Sequence, residues 1–264
     1  MEKIRISAVS YLNTRPFVFG LQHSELIERI DLSLDMPSLC ASKLISNQAD
    51  IGLIPVAAMA DVPNAQIISQ YGIASSGIVR KVVLLSQVPL TEIKKVVLDY
   101  QSRTSVQLVQ ILARHYWKID PVWENGKPGY MEVDRDETTA IVVIGDRVFK
   151  AEREFPYCYD LGEEWKNFTN FDFVFACWIA NKPIDIEFVS EFNKALAEGL
   201  LRMDEVIAEC QDEYPGCDLE DYFSNNIKFV LDDSKLKGLE LFSKLLKMNE
   251  VKPQPFSQIV SAQD

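Results

Sequence analysis

The sequence predicts an α/β fold, and three observations carry that reading. Asp50–Val56, Val82–Leu85, Val96–Leu98 and Ile141–Ile144 are short apolar runs of the kind that form strands buried on both faces. Ser105, Leu108, Val109, Leu112 and Tyr116 recur at the spacing of one helical face between two of those runs. Beyond residue 180 the periodicity is helical throughout. Strands that alternate with helices build largely parallel sheets.

Taken in order, Ile4, Ile6 and Ala8 alternate with Arg5 and Ser7, a period-two strand. Thr14 as a cap and Pro16 in a first turn predict a helix start. A second helix is expected from Ser38 to about Asn47, leading into the strand at Asp50–Val56. Asn125–Gly129 reads as a surface loop. Phe188, Phe192, Leu196 and Leu200 follow Asp185 at helical spacing, and Leu236, Leu239, Phe242 and Leu246 follow Asp232-Asp233-Ser234. There is no internal repeat and no low-complexity linker.

The chain has 264 residues, 47% of them hydrophobic, which excludes a disordered polymer and leaves one large domain or two lobes open. The formal net charge of −12 argues against nucleic acid and against an anionic membrane surface as partners. No segment approaches the roughly 20 continuous apolar residues of a membrane span. Met1–Ile6 carries no apolar signal region, so the expected location is cytoplasmic. The five cysteines are scattered without a Cys-x-x-Cys, as expected for reduced structural thiols rather than a zinc site. His23 and His115 fall in helical stretches and read as structural.

In α/β sheets ligands bind beyond the carboxyl ends of strands, and four polar segments have that placement. Ser10–Arg15 offers the Asn13 amide, for a ligand or to hold its own loop. Ser75–Lys81 offers small residues with exposed N–H groups and two cations, or a plain edge strand. Leu98–Ser105 puts hydroxyls at a helix start, where free N–H groups and the dipole favour an anion; capping alone explains one of these hydroxyls but not three polar donors in a row. Ile144–Arg147 ends a strand in Gly145 and Asp146, for close ligand approach or a simple turn. Together they suggest a cleft for a small carboxylate. Phosphate-binding glycine motifs, His–Glu metal spacing and the Gly-x-Ser-x-Gly elbow are all absent, so no cofactor and no metal are expected.

Val9–Pro16, Asp50–Val56, Leu98–Ser105, Ile144–Asp146, Tyr159–Trp165 and Phe173–Trp178 resemble, in order, the chorismate dehydratase family of the futalosine route to menaquinone. The sister dihydroxynaphthoate synthase usually carries Ser-Pro-Cys-Pro-Asn-Asp-Thr near its start, where this chain has Ser-Tyr-Leu-Asn-Thr-Arg-Pro. The resemblance implies a two-lobed fold like type II periplasmic binding proteins, with a central ligand cleft. Residues 1–87 and 177–264 would form lobe one, and residues 88–176 an inserted lobe two. It implies a cofactor-independent lyase that converts chorismate to 3-[(1-carboxyvinyl)oxy]benzoate and water, acting as a monomer or homodimer. Asn13 and Asp146 become the candidates for chemistry. Ser10, Arg15, Ser75, Ser76, Lys81, Ser102, Thr104, Ser105 and Gly145 become the candidates for substrate binding. The proton acceptor is the substrate's own enolpyruvyl carboxylate or Asp146, with Asp99 the other carboxylate in these motifs.

Two departures stand out. Asn170-Phe171-Asp172 replaces a frequent Gly-Leu-Pro. Lys81 stands where the family often has Ser: it faces a substrate carboxylate, or it points away and Ser75 or Ser76 takes its place. A non-catalytic carboxylate-binding protein of the same fold is the alternative to an enzyme.

Overall fold

The computed structural model describes residues 3–248, apart from the side chains of Asp146 and Phe149. The apolar runs become strands in two separate sheets. In chain order these are β1 (Ile4–Val9), β2 (Ile30–Asp35), β3 (Ile51–Pro55), β4 (Gln66–Ser75), β5 (Val82–Ser86), β6 (Lys95–Leu98), β7 (Val122–Asn125), β8 (Thr139–Ile144), β9 (Tyr157–Asp160), β10 (Phe173–Ala180) and β11 (Lys228–Val230). The first sheet has six strands in the order β11-β4-β10-β3-β1-β2, and the second has five in the order β7-β6-β8-β5-β9.

The sheets are mixed rather than largely parallel. β10 runs antiparallel to both β3 and β4, and β5 antiparallel to β8 and β9. Each is the first strand after the chain changes sheet. It enters at the edge where its parallel neighbours leave, so it must run against them. The chain crosses at residues 76–81 and returns at 161–172, earlier than the expected 87 and 177. An apolar run shows that a strand is buried but not which sheet it joins. The short β11 interrupts a region expected to be helical throughout; three residues leave no readable period.

The helices are α1 (Arg15–Gln22), α2 (Pro37–Ile45), α3 (Arg103–Leu112), α4 (Val148–Ala151), α5 (Leu161–Thr169), α6 (Ile186–Leu201), α7 (Met203–Cys210), α8 (Leu219–Asp221) and α9 (Asp233–Met248). Asp185 caps α6 as expected, accepting from the Glu187 and Phe188 N–H groups at 2.9 and 3.2 Å. α6 lies against α1 at glycine contacts: a Cβ on Gly20 would stand 2.0 Å from the Ala195 carbonyl oxygen. That contact fastens the C-terminal helices to the N-terminal strands. α9 brings Phe242 edge-on to Phe173 and Trp165, with ring centroids 5.1 and 6.0 Å apart. Among the described residues no helix is long and apolar enough to cross a membrane.

Both crossings are pinned by buried carboxylates. Asp160 ends β9 and caps α5 through the Gly162 and Glu163 N–H groups at 3.0 and 3.2 Å. The same carboxylate accepts from Val79 N–H at 3.0 Å and Arg80 N–H at 2.7 Å, in the first crossing. Burial pushes its pKa up, against those four donors. On the return crossing, Asp172 accepts from Ser76 Oγ at 2.7 Å, Lys166 Nζ at 2.8 Å and pairs with Lys235 Nζ at 3.3 Å. Burial alone would raise Asp172, but Lys166, Ser76 and Lys235 outweigh it and hold the carboxyl below its ordinary value.

Asp160→Ala strands buried donors on both crossings and is expected to lower the unfolding free energy by about 2–4 kcal/mol in urea titrations. A loss under about 0.5 kcal/mol, within the range of surface substitutions, would show that the crossings are held elsewhere. Asp172 titrates in the opposite sense. Its contribution is fully present above the unfolded Asp pKa of about 3.9 and is lost as pH falls through its lower folded value. Asp172→Asn should therefore destabilise strongly near pH 7 and progressively less toward about pH 3. A deficit independent of pH would assign the effect to packing.

Candidate functional site

The carboxyl ends of β1, β3, β6 and β8 face each other across a cavity of about 740 Å³, open mouth included, a size that suits a small molecule. Its walls are mainly apolar, with Val9, Leu12, Ile73 and Phe175 among them. Asn13, Thr14, Lys81, Ser102, Thr104 and Ser105 supply the polar side chains of that lining, together with Tyr11 and Tyr222.

Asn13 sits in the 3₁₀ turn Leu12–Thr14 that joins β1 to α1. Thr14 occupies the helix cap position, but its hydroxyl makes no cap bond and donates instead to Asn13 Oδ1 at 3.3 Å. The Asn13 oxygen is thereby oriented. Its amide nitrogen has no hydrogen bond among the described residues.

On the facing wall, Thr104 and Ser105 lie in the first turn of α3, as the hydroxyl pattern predicts. Ser102 is the cap, accepting from Ser105 N–H at 3.1 Å while donating its own hydroxyl to Ser105 Oγ at 2.7 Å. Ser105 Oγ accepts in that bond and keeps its own hydrogen to donate, in a residue that lines the cavity. Thr104 differs from the expected pure ligand contact: its hydroxyl accepts from Ala57 N–H and donates to the Phe175 carbonyl, each at 3.3 Å. Both partners belong to segments of the first sheet's lobe, so Thr104 joins the two lobes at the cavity floor.

Lys81 is only 5% exposed. Its Nζ stands 4.5 Å from the Tyr222 ring centroid and 5.6 Å from that of Tyr214. Cation–π contact compensates the ammonium for lost water. Of the two alternatives for this position, the structure places Lys81 in the cavity wall. Gly145 lines the same wall with a φ of +67°, the left-handed region that glycine enters without strain.

Ser10, Arg15, Ser75, Ser76 and Asp99 are not among the residues that line the cavity. Ser10 is exposed outside it. Arg15 is engaged by Glu213. Ser75 is fully buried in β4, with no hydrogen-bond partner for Oγ among the described residues. Ser76 is turned to Asp172. The Asp146 side chain lies outside the described residues; its backbone forms the turn Gly145–Arg147 after β8. Asp99 is bound by Arg147 at 2.6 Å, Tyr130 at 2.9 Å and the Gln101 N–H at 2.7 Å, and burial raises its pKa. Tyr214 and Tyr222 carry no local sequence signal, because they reach Lys81 from more than a hundred residues away. Among the described residues no three His, Cys, Asp or Glu side chains are placed to hold a metal ion.

A family model described as menaquinone biosynthesis matches residues 4–248. The chain belongs to this family. Its two-lobed α/β architecture is the periplasmic-binding-protein-like fold. Protein AF1704 from Archaeoglobus fulgidus superposes with a TM-score of 0.69 at 16% identity, over 94% of this chain and 97% of that one. The periplasmic aliphatic sulphonate binding protein SsuA from Escherichia coli gives 0.60 at 16% identity, over 96% and 94%. A Candida albicans protein described as having the generic periplasmic binding protein fold gives 0.58 at 12% identity, over 99% and 94%.

Ser105→Ala removes the hydroxyl donor without touching the lobe contact. It is expected to weaken binding of a carboxylate ligand by about 1.5–3 kcal/mol in calorimetric titration, the scale of a hydrogen bond to a charged group. Unchanged affinity would show that the anion does not reach the start of α3.

Proposed function

We propose that this member of the menaquinone biosynthesis family is a chorismate dehydratase, a hydro-lyase that needs no cofactor. The observation that carries the reading is the pairing of Lys81 and the α3 first turn with Asn13 across a mainly apolar cavity. Chorismate has a cyclohexadiene ring that becomes flat on aromatisation, one carboxylate on the ring, a second on the enolpyruvyl ether, and a hydroxyl to be lost. Those features match the apolar walls, the cationic and N–H donors, and the amide.

The reaction removes the ring proton at the carbon bearing the ether and the hydroxyl on its neighbour. That proton is acidified because its carbon is vinylogous to the ring carboxylate. Its removal places an electron pair in an extended dienolate, which expels hydroxide and becomes aromatic. The proton and the hydroxide together make the water released. Donors at the ring carboxylate stabilise the dienolate, each worth about 3–4 kcal/mol by analogy with oxyanion holes. Ser105 and the N–H groups of α3 have that role here, with Lys81 attracting the dianion.

The substrate's enolpyruvyl carboxylate takes the proton, held close by the cavity walls. Asp99 is unsuited as base, because Arg147, Tyr130 and Gln101 already occupy its oxygens. Asn13 binds the departing hydroxyl. A passive carboxylate-binding protein of this fold would return chorismate unchanged.

Purified protein given chorismate, with no metal or nucleotide added, is expected to form the aromatic enolpyruvyl ether, followed by NMR. Asn13→Ala should lower kcat more than it raises KM, because the amide acts on the reacting centre. Asp146→Asn should keep most of kcat; its loss would move the proton to Asp146. Tight binding without conversion over hours would replace the enzyme with a binder.

A further inference from the structure

Arg147 ends the turn that follows β8, two residues beyond Gly145, which lines the interlobe cavity, and is not itself part of that lining. Its Nη2 donates to Asp99 Oδ2 at 2.6 Å and to Gln101 Oε1 at 2.9 Å. Asp99 and Gln101 follow β6, the strand paired in parallel with β8. Residues on both sides of this cluster, Ser102 after Gln101 and Gly145 before Arg147, line the cavity. The guanidinium carbon lies 5.9 and 6.0 Å from the ring centroids of Tyr100 and Tyr130.

The cluster is asymmetric. The Asp99 side chain is fully buried, whereas Arg147 keeps 32% of its side chain exposed. Nη1 and Nε of Arg147 have no hydrogen bond among the described residues. Burial opposes the charge, but Asp99 outweighs it and keeps Arg147 above its ordinary pKa, with Tyr11 among the groups that feel this charge. Tyr11 comes from the opposite lobe and lines the cavity, and a Cβ on Gly145 would stand 4.0 Å from its Cζ. A buried carboxylate that pairs only one nitrogen fixes a cation without using up its donors. Such a group is set to receive a second anion where two lobes meet.

We infer that Arg147 is a substrate-binding residue, its guanidinium held by Asp99 and Gln101 to take the outer carboxylate of a dicarboxylate ligand at the cavity rim. Lys81 and the α3 first turn take the inner carboxylate. Asp99 is then a positioning residue. This rests on the dehydratase reading for the identity of the ligand, but not for its two charges.

The test is a calorimetric comparison of two ligands, the dicarboxylate 3-[(1-carboxyvinyl)oxy]benzoate and the monocarboxylate 3-methoxybenzoate. Arg147→Gln should weaken the dicarboxylate by about 10- to 100-fold and leave the monocarboxylate within about threefold, since only the former reaches the rim. Arg147→Lys should fall between, as charge without the planar fork. The monocarboxylate controls for folding, because a damaged cavity loses both ligands. Asp99→Asn should raise KM for chorismate more than it lowers kcat. Equal affinities for the dicarboxylate in wild type and Arg147→Gln, or equal losses of both ligands, would overturn the inference. If wild type binds the dicarboxylate through Arg147 yet never converts chorismate, the dehydratase reading fails and the inference stands.

Discussion

The Asp160 carboxylate is the constraint on which the rest of the molecule depends. One buried group caps α5 and holds the Val79 and Arg80 N–H groups of the first crossing. Arg80 takes a φ of +61° there, and the next residue is Lys81. A left-handed turn in a non-glycine residue persists only where its surroundings fix it. The clamp therefore sets where the chain enters β5 and where the Lys81 ammonium stands. Ser76 and Asp172 tie the same crossing to the return, and Lys235 carries that tie into α9.

The cavity takes its shape from this hinge. Its floor is a place where the lobes touch, through Thr104 with Ala57 and Phe175, and through the Arg103–Asp61 pair at 2.5 Å. Its polar groups come from different parts of the chain: Asn13 from the first lobe, Ser105 from the second, Lys81 from the crossing. Its charge balance is local. A chain of net charge −12 lines this one space with a buried ammonium and a helix start. Small dianions would meet favourable potential there, against a surface that repels polyanions.

Much of this was legible in the residues, and what was not has physical causes. The apolar runs and helical faces of β3, β5, β6, β8, α3 and α6 were readable, because burial on both faces, helical spacing and a cap such as Asp185 are local signals. The placement of Thr104 and Ser105 followed from the run of hydroxyls at the start of a helical face. The orientation of β10 and β5 was not readable, since antiparallel entry at the cleft edge depends on the crossings. Ser75 and Ser76 looked like donors because they are small and polar beside a glycine. Ser76 turns instead to Asp172, ninety-six residues away. Arg15 faces Glu213, and Lys81 faces Tyr214 and Tyr222, through equally long-range contacts.

On the proposed reading the interlobe cavity is a dicarboxylate site whose two ends lie at Lys81 and at Arg147, after β8. A crystal structure of the protein with 3-[(1-carboxyvinyl)oxy]benzoate tests it most directly. The aromatic ring is expected between Asn13 and the first turn of α3, with one carboxylate against Lys81 and Ser105 and the other facing Arg147. A ligand seated outside this cavity, or with both carboxylates turned away from Lys81 and Arg147, would contradict it.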